Sequence, residues 1–158
     1  MNLPASLLEC LLRENALVLE FSAALDSETQ ALVDRTAFQQ LPALTQQKES
    51  LALQLAALSD HRDLLLGQMG LAGGHDGTEH AAARDPQLAE AWQTLLANAA
   101  VARERNTRNS ALVEVSLRYT QQSLDALREL GGLANAGTYD AQGRGRHGTY
   151  GGKSIVAA

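Results

Sequence analysis

The residues best equipped for chemistry in this chain are Gly151-Gly152-Lys153-Ser154, the pair His75 and His80, one cysteine, Cys10, and eighteen scattered carboxylates. A phosphate-binding loop needs Gly-x-x-x-x-Gly-Lys-[Ser/Thr] between a strand and a helix, so that backbone N–H groups cradle the phosphates. Here the first required glycine falls on His147, and four residues follow Ser154 in this sequence, too few for the helix. The nucleotide reading fails on both counts. His75 and His80 stand five apart beside Asp76 and Glu79 in a glycine-rich stretch, which is no recognised ligand spacing. They read as exposed loop residues, and His61 and His147 are isolated. Cys10 lies among Leu7 and Leu11 at helical spacing, so a buried small hydrophobe is expected rather than a reactive thiolate. No Glu-x-x-His set of the kind that builds di-metal sites in helical bundles is present, and the carboxylates read as outer-face residues. No catalytic residue, metal site or cofactor is expected.

The elements that carry these residues are helical. Leu and Ala dominate the apolar fraction, aromatics make up 4% of the chain, and the one isoleucine is Ile155. Leu, Ala, Gln, Glu and Arg lose little freedom in a helix, whereas sheets favour β-branched and aromatic side chains. The spacing predicts three long helices, at about 5–33, 36–69 and 86–130. Leu7, Leu11, Val18, Phe21, Leu25 and Leu32 mark the first stripe. Thr36 followed by Gln39 reads as a capping box for the second helix, with Pro42 forcing a bend or a later start. Lys48 and Arg62 interrupt its stripe, with stems expected along it and heads in water. Residues 70–84 carry four glycines without periodicity and read as a mobile loop. Asp85-Pro86 opens the third helix, and Gly131-Gly132 reads as its C-cap.

The expected architecture is all-α: an antiparallel, coiled-coil-like three-helix bundle over residues 1–131. A flexible glycine-rich tail, 132–158, follows. That tail, taken from Gly131, holds eight of the thirteen glycines and cannot build a core. Asn106 and Asn109 fall on the seam of the third helix. They read either as a register-setting polar layer or as the boundary between a bundle half and a partner-binding half.

Charge narrows the partners. Net charge is −5, with four basic and eleven acidic side chains in residues 1–83 against nine and seven in 84–158. An acidic first half argues against nucleic acid. The start of the chain lacks a basic leader segment and no apolar run is long enough to span a bilayer. The expectation is a cytoplasmic protein, not an integral membrane one. The third helix, however, carries Val113, Val115, Leu117, Tyr119, Leu124, Leu127 and Leu130 in its second half. That is more apolar surface than one hairpin covers, and it suits a docked partner helix. Burial within the monomer or in a homodimer is the competing explanation.

The chain resembles the FlgN-type flagellar export chaperones. The resemblance is carried by Trp92 early in the third helix, Asn106 and Asn109 further along it, Thr138-Tyr139 with Gly143, and Gly151-Gly152-Lys153. Lys48 followed by leucine repeats is a weaker landmark. Two positions depart from the family pattern: Asp140 follows Tyr139 where a glycine is common, and Ser110 follows Asn109 where a glycine is common. The resemblance implies a chaperone that binds the C-terminal segments of hook–filament junction (hook-associated) proteins and keeps them unassembled until export. It places substrate-protein binding on Val113, Leu117, Leu124 and Leu127. It places docking onto the cytoplasmic domain of the flagellar export gate on Tyr139. The alternative from a different class is a homodimeric coiled-coil structural or adaptor protein with no secretion role, and self-association is compatible with both.

Overall fold

The computed structural model describes residues 2–135, with side chains described through residue 132. Helix α1 spans Leu3–Val33. It opens where the Asn2 side-chain oxygen accepts from the Ala5 N–H at 3.4 Å, with Pro4 in the first turn where its missing N–H has no partner to lose. It closes at Asp34, whose N–H still donates to Gln30 O at 2.8 Å. The Asp34 carboxylate then turns forward and accepts from the Thr36 N–H and hydroxyl at 3.0 and 2.8 Å. Those two hydrogen bonds hold its carboxyl below the usual carboxylate range.

A 3-10 turn, Arg35–Gln40, follows, and α2 spans Leu41–Gln68. The expected capping box at Thr36 does not form, because Thr36 is the residue being capped. Pro42 explains the late start of α2: proline belongs in the first turn of a helix and not one turn inside it. Helix α3 spans Gly74–Ala82, and α4 spans Pro86–Asn135. Asp85 caps α4 as its sequence suggests, accepting from the Gln87 N–H at 2.8 Å.

The chain divides into two compact units, Met1–Val113 and Glu114–Ala158. Within the first unit the cross-helix pairs give the directions. Glu28 meets Lys48 and Glu14 meets Arg62, so α1 and α2 run antiparallel. Asn15 meets Asn98 and Asp26 meets Arg105, so α1 and the first part of α4 run parallel. The result is the up-down-up arrangement of an all-α bundle. Leu7, Leu11, Leu25, Leu66 and Leu88 are completely buried in its core beside Trp92 and Leu95.

Helix α3 corrects the expectation of a loop at residues 70–84. Gly77, Thr78, Ala81 and Ala82 bury one face of it, and the Thr78 hydroxyl donates to Gly74 O at 2.8 Å. Glycine disfavours helix by about 1 kcal/mol relative to alanine, but two glycines here are required by tertiary geometry. Gly74 has φ +75°, and a Cβ on Gly77 would lie 1.6 Å from Ala72 O. Asp63 of α2 fixes the entry, its carboxylate accepting from the Gly74 N–H at 2.7 Å.

The described part of the second unit is the continuation of α4 to Asn135. Gly131-Gly132 does not end the helix, and a Cβ at either position would meet nothing within 4 Å. Residues 133–158, with Tyr139, Gly143 and Gly151-Gly152-Lys153, contribute no described side chain.

Candidate functional site

The side chains singled out for chemistry do not converge. Cys10 is buried, with its thiol facing Leu58 O at 3.5 Å and Glu14 at 3.8 Å. Burial first, then the neighbouring Glu14 charge, pushes that thiol up to about 11, the opposite of an activated nucleophile. His75 and His80 are exposed, on helix α3 rather than a loop. The His75 ring lies 5.2 Å from that of Trp92, whose indole N–H donates to Glu79 at 2.6 Å, so this cluster fastens α3 to α4. Among the described residues no group of three or more His, Cys, Asp or Glu side chains could hold a metal. No described helix is long and apolar enough to cross a membrane.

Two carboxylates expected on the outside are inside. Glu14 and Glu28 are buried in α1, where they receive the two cations of α2. Arg62 pairs with Glu14 while its guanidinium lies 5.5 Å from the Trp92 ring. Burial raises the Glu14 carboxyl above its usual range even against that cation. Lys48 reaches Glu28 at 2.9 Å and Asn106 at 3.5 Å. Neither cationic head is spent on water, contrary to the expectation. A cation beside a buried carboxylate recovers more Coulomb energy than one in water.

Asn109 completes this layer from α4. It is 1% exposed; its amide donates to Leu25 O at 2.8 Å and to Glu28 at 3.0 Å, and its side-chain oxygen accepts from the Thr29 hydroxyl at 2.6 Å. Every polar group of this side chain faces a partner on α1. A shift of α4 by one turn would strand them, so the layer fixes register. Asn106, the other seam asparagine, is exposed apart from its contact to Lys48.

Beyond Asn109 the character of α4 changes. Val113 closes the first unit at 38% exposed. In the second unit Leu117 is 65% exposed, Leu124 44% and Leu127 64%. Spacings of seven and three put these leucines on one face of the helix. Val115, Tyr119 and Leu130, outside that face, are just as exposed. All three belong to the apolar set the sequence shows in this half of the helix, although they were not among the four assigned to binding, and their own spacing of four and eleven is also helical.

Residues 1–147 match the family described as FlgN protein. No curated protein and no solved structure matches the chain. With a match over nearly its whole length, on an all-α fold, this chain belongs to the FlgN family of flagellar export chaperones.

Proposed function

We propose that the chain is a cytoplasmic chaperone of the type III flagellar export system that binds the C-terminal segments of hook-associated proteins. It keeps these junction proteins from assembling early and hands them to the cytoplasmic domain of the export gate. The supporting observation is the exposure of Leu117, Leu124 and Leu127 on α4, with Val113 one turn before Leu117. Fully burying a leucine is worth roughly 1.5–3 kcal/mol relative to leaving it in water. A helix that leaves this many uncovered gains substantially from an apolar partner helix laid along it. The reading involves no catalysis and no cofactor. Tyr139, outside the described residues, is assigned to gate docking on the family resemblance alone.

Co-expression with a C-terminal fragment of a hook-associated protein, followed by gel filtration, tests the assignment. Changing Leu117 and Leu124 together to Asp abolishes the complex while helicity by circular dichroism stays near that of the unchanged protein. Unfolding of the free double variant would mean that the two leucines are core. Tyr139→Ala retains the junction protein and weakens docking to the gate domain; equal loss of both would reject separate roles. A homodimeric scaffold would self-associate through the same leucines and capture no junction protein.

A further inference from the structure

We propose that the second-unit part of α4 is clasped on two sides at once, so that the bound segment of the secreted protein supplies two amphipathic helices rather than one. The proposal rests on the chaperone reading above and specifies the form of its partner. An α-helix advances about 100° per residue. On that wheel Glu114, Arg118, Gln121, Gln122, Asp125, Arg128 and Glu129 fall within an arc of about 120°. The charged arc is supplied from within: Gln121 donates to Asp125 at 3.0 Å, and Arg128 stands 3.8 Å from the same carboxylate. All seven of these side chains are exposed, and water satisfies their polar groups, so this arc suits a solvent face.

The remaining arc, about 200°, carries every large apolar side chain described in this helix segment. Leu117 and Leu124 mark one margin. Val115, Tyr119 and Leu130 mark the other, exposed at 63%, 62% and 64%. Along the middle lie Ser116, Thr120 and Ser123 with Leu127. The hydroxyls of Thr120 and Ser123 donate to Ser116 O and Tyr119 O at 2.9 and 3.0 Å. They therefore ask for no partner and can be covered without an unpaired donor.

A helix that lies on the surface of a core has an apolar stripe of roughly 100° or somewhat more. An arc twice that width matches a helix with neighbours on two sides, as in the interior of a bundle. One docked helix would cover the Leu117–Leu124 margin or the Tyr119–Leu130 margin and leave the other in water. Pairing in which a second copy lays one helix along this segment has the same defect. A helical hairpin from a single partner covers both margins and leaves the charged arc as the solvent face.

The test uses the full chain and a purified C-terminal fragment of a hook-associated protein, with affinity measured by titration calorimetry. Three double variants are compared: Leu117→Asp with Leu124→Asp, Tyr119→Asp with Leu130→Asp, and Gln121→Ala with Glu129→Ala on the charged arc. Each apolar pair is expected to weaken binding at least about 30-fold, the scale of losing hot-spot residues, and the charged-arc pair less than about twofold. Since all six positions are exposed, helicity by circular dichroism should hold in every variant. A second readout avoids charge insertion. Leu117→Cys and Tyr119→Cys, made singly, should both be shielded from a thiol reagent when the fragment binds, with Cys10 silent because it is buried.

Loss confined to the Leu117 pair, with Tyr119→Cys still labelled in the complex, overturns the two-sided arrangement and leaves the chaperone reading standing. Wild-type affinity in both apolar pairs overturns the inference and the proposed binding face together. A free protein that is oligomeric by light scattering, and that both pairs turn into a monomer without affecting the fragment, assigns the surface to further copies of this chain and also overturns it.

Discussion

The side-chain amide of Asn109 donates to the backbone carbonyl of Leu25 across the α1–α4 contact, at 2.8 Å. Helix carbonyls ordinarily serve their own helix. This one also receives a donor from another helix, so the bond ties a fixed level of α4 to a fixed level of α1. Glu28 and Thr29 secure the same asparagine at 3.0 and 2.6 Å. Asn109→Ala is therefore expected to cost about 1–3 kcal/mol, since it strands buried groups rather than merely removing a bond. Urea denaturation followed by circular dichroism measures it. A variant as stable as the unchanged protein would show that the layer contributes nothing.

The Glu14–Arg62 pair behaves differently when one partner or both are removed. Its side chains are 6% and 11% exposed, and the Arg62 Nε is buried without a partner. Arg62→Met alone leaves a buried carboxylate and is expected to cost about 3–5 kcal/mol. Adding Glu14→Leu should recover most of that loss, because a well-packed apolar pair of similar volume is often no worse than a buried ion pair. Thermal melts of the two single variants and the double variant form the cycle. Additive losses would contradict the pairing.

Glycine substitutions separate a tertiary demand from a local one. Gly77→Ala puts a methyl group 1.6 Å from Ala72 O, which backbone must move to relieve. A loss of about 1–3 kcal/mol is expected, together with a shift in Trp92 emission as α3 loosens from α4. Gly67→Ala, inside α2 with open space around it, should instead stabilise by roughly 0.5–1 kcal/mol. The same chemical change with opposite signs in a pair of melts is the expected outcome; equal effects would remove the role given to Gly77.

Cys10 gives the pH dependence. Its thiol is held up to about 11, first by burial and then by Glu14. The unfolded chain ionises this thiol at its ordinary pKa, so the folded form binds the proton more tightly. This contribution to stability is fully present below the ordinary thiol pKa and fades as pH rises through about 11. Cys10→Ser should flatten that alkaline loss. At pH 8 a thiol reagent should label the native chain far more slowly than the urea-unfolded chain; similar rates would place the thiol at the surface.

The residues show why some features were legible and others were not. Leu7, Leu11 and Leu25 announce α1 because helical spacing is a property of neighbours in sequence, and a buried stripe needs nothing else. Asp85 and Pro86 announce α4 for the same local reason. Helix α3 is not legible in the sequence, because its glycines are unfavourable locally and are justified only by Ala72 O and Asp63, which the sequence does not place beside them. Lys48 and Arg62 were expected in water because their partners lie 20 and 48 residues away.

By itself, then, the order of residues determined the helical class, the long apolar stripes and the resemblance in landmark spacing, since all of these depend on propensity and period along one chain. Tertiary structure alone decided which carboxylates are buried, which cations they hold, that Asn109 is the register pin while Asn106 is exposed, and that α3 is a helix. Those outcomes turn on desolvation and on close approach between distant segments, and both energies come into being only when the segments meet.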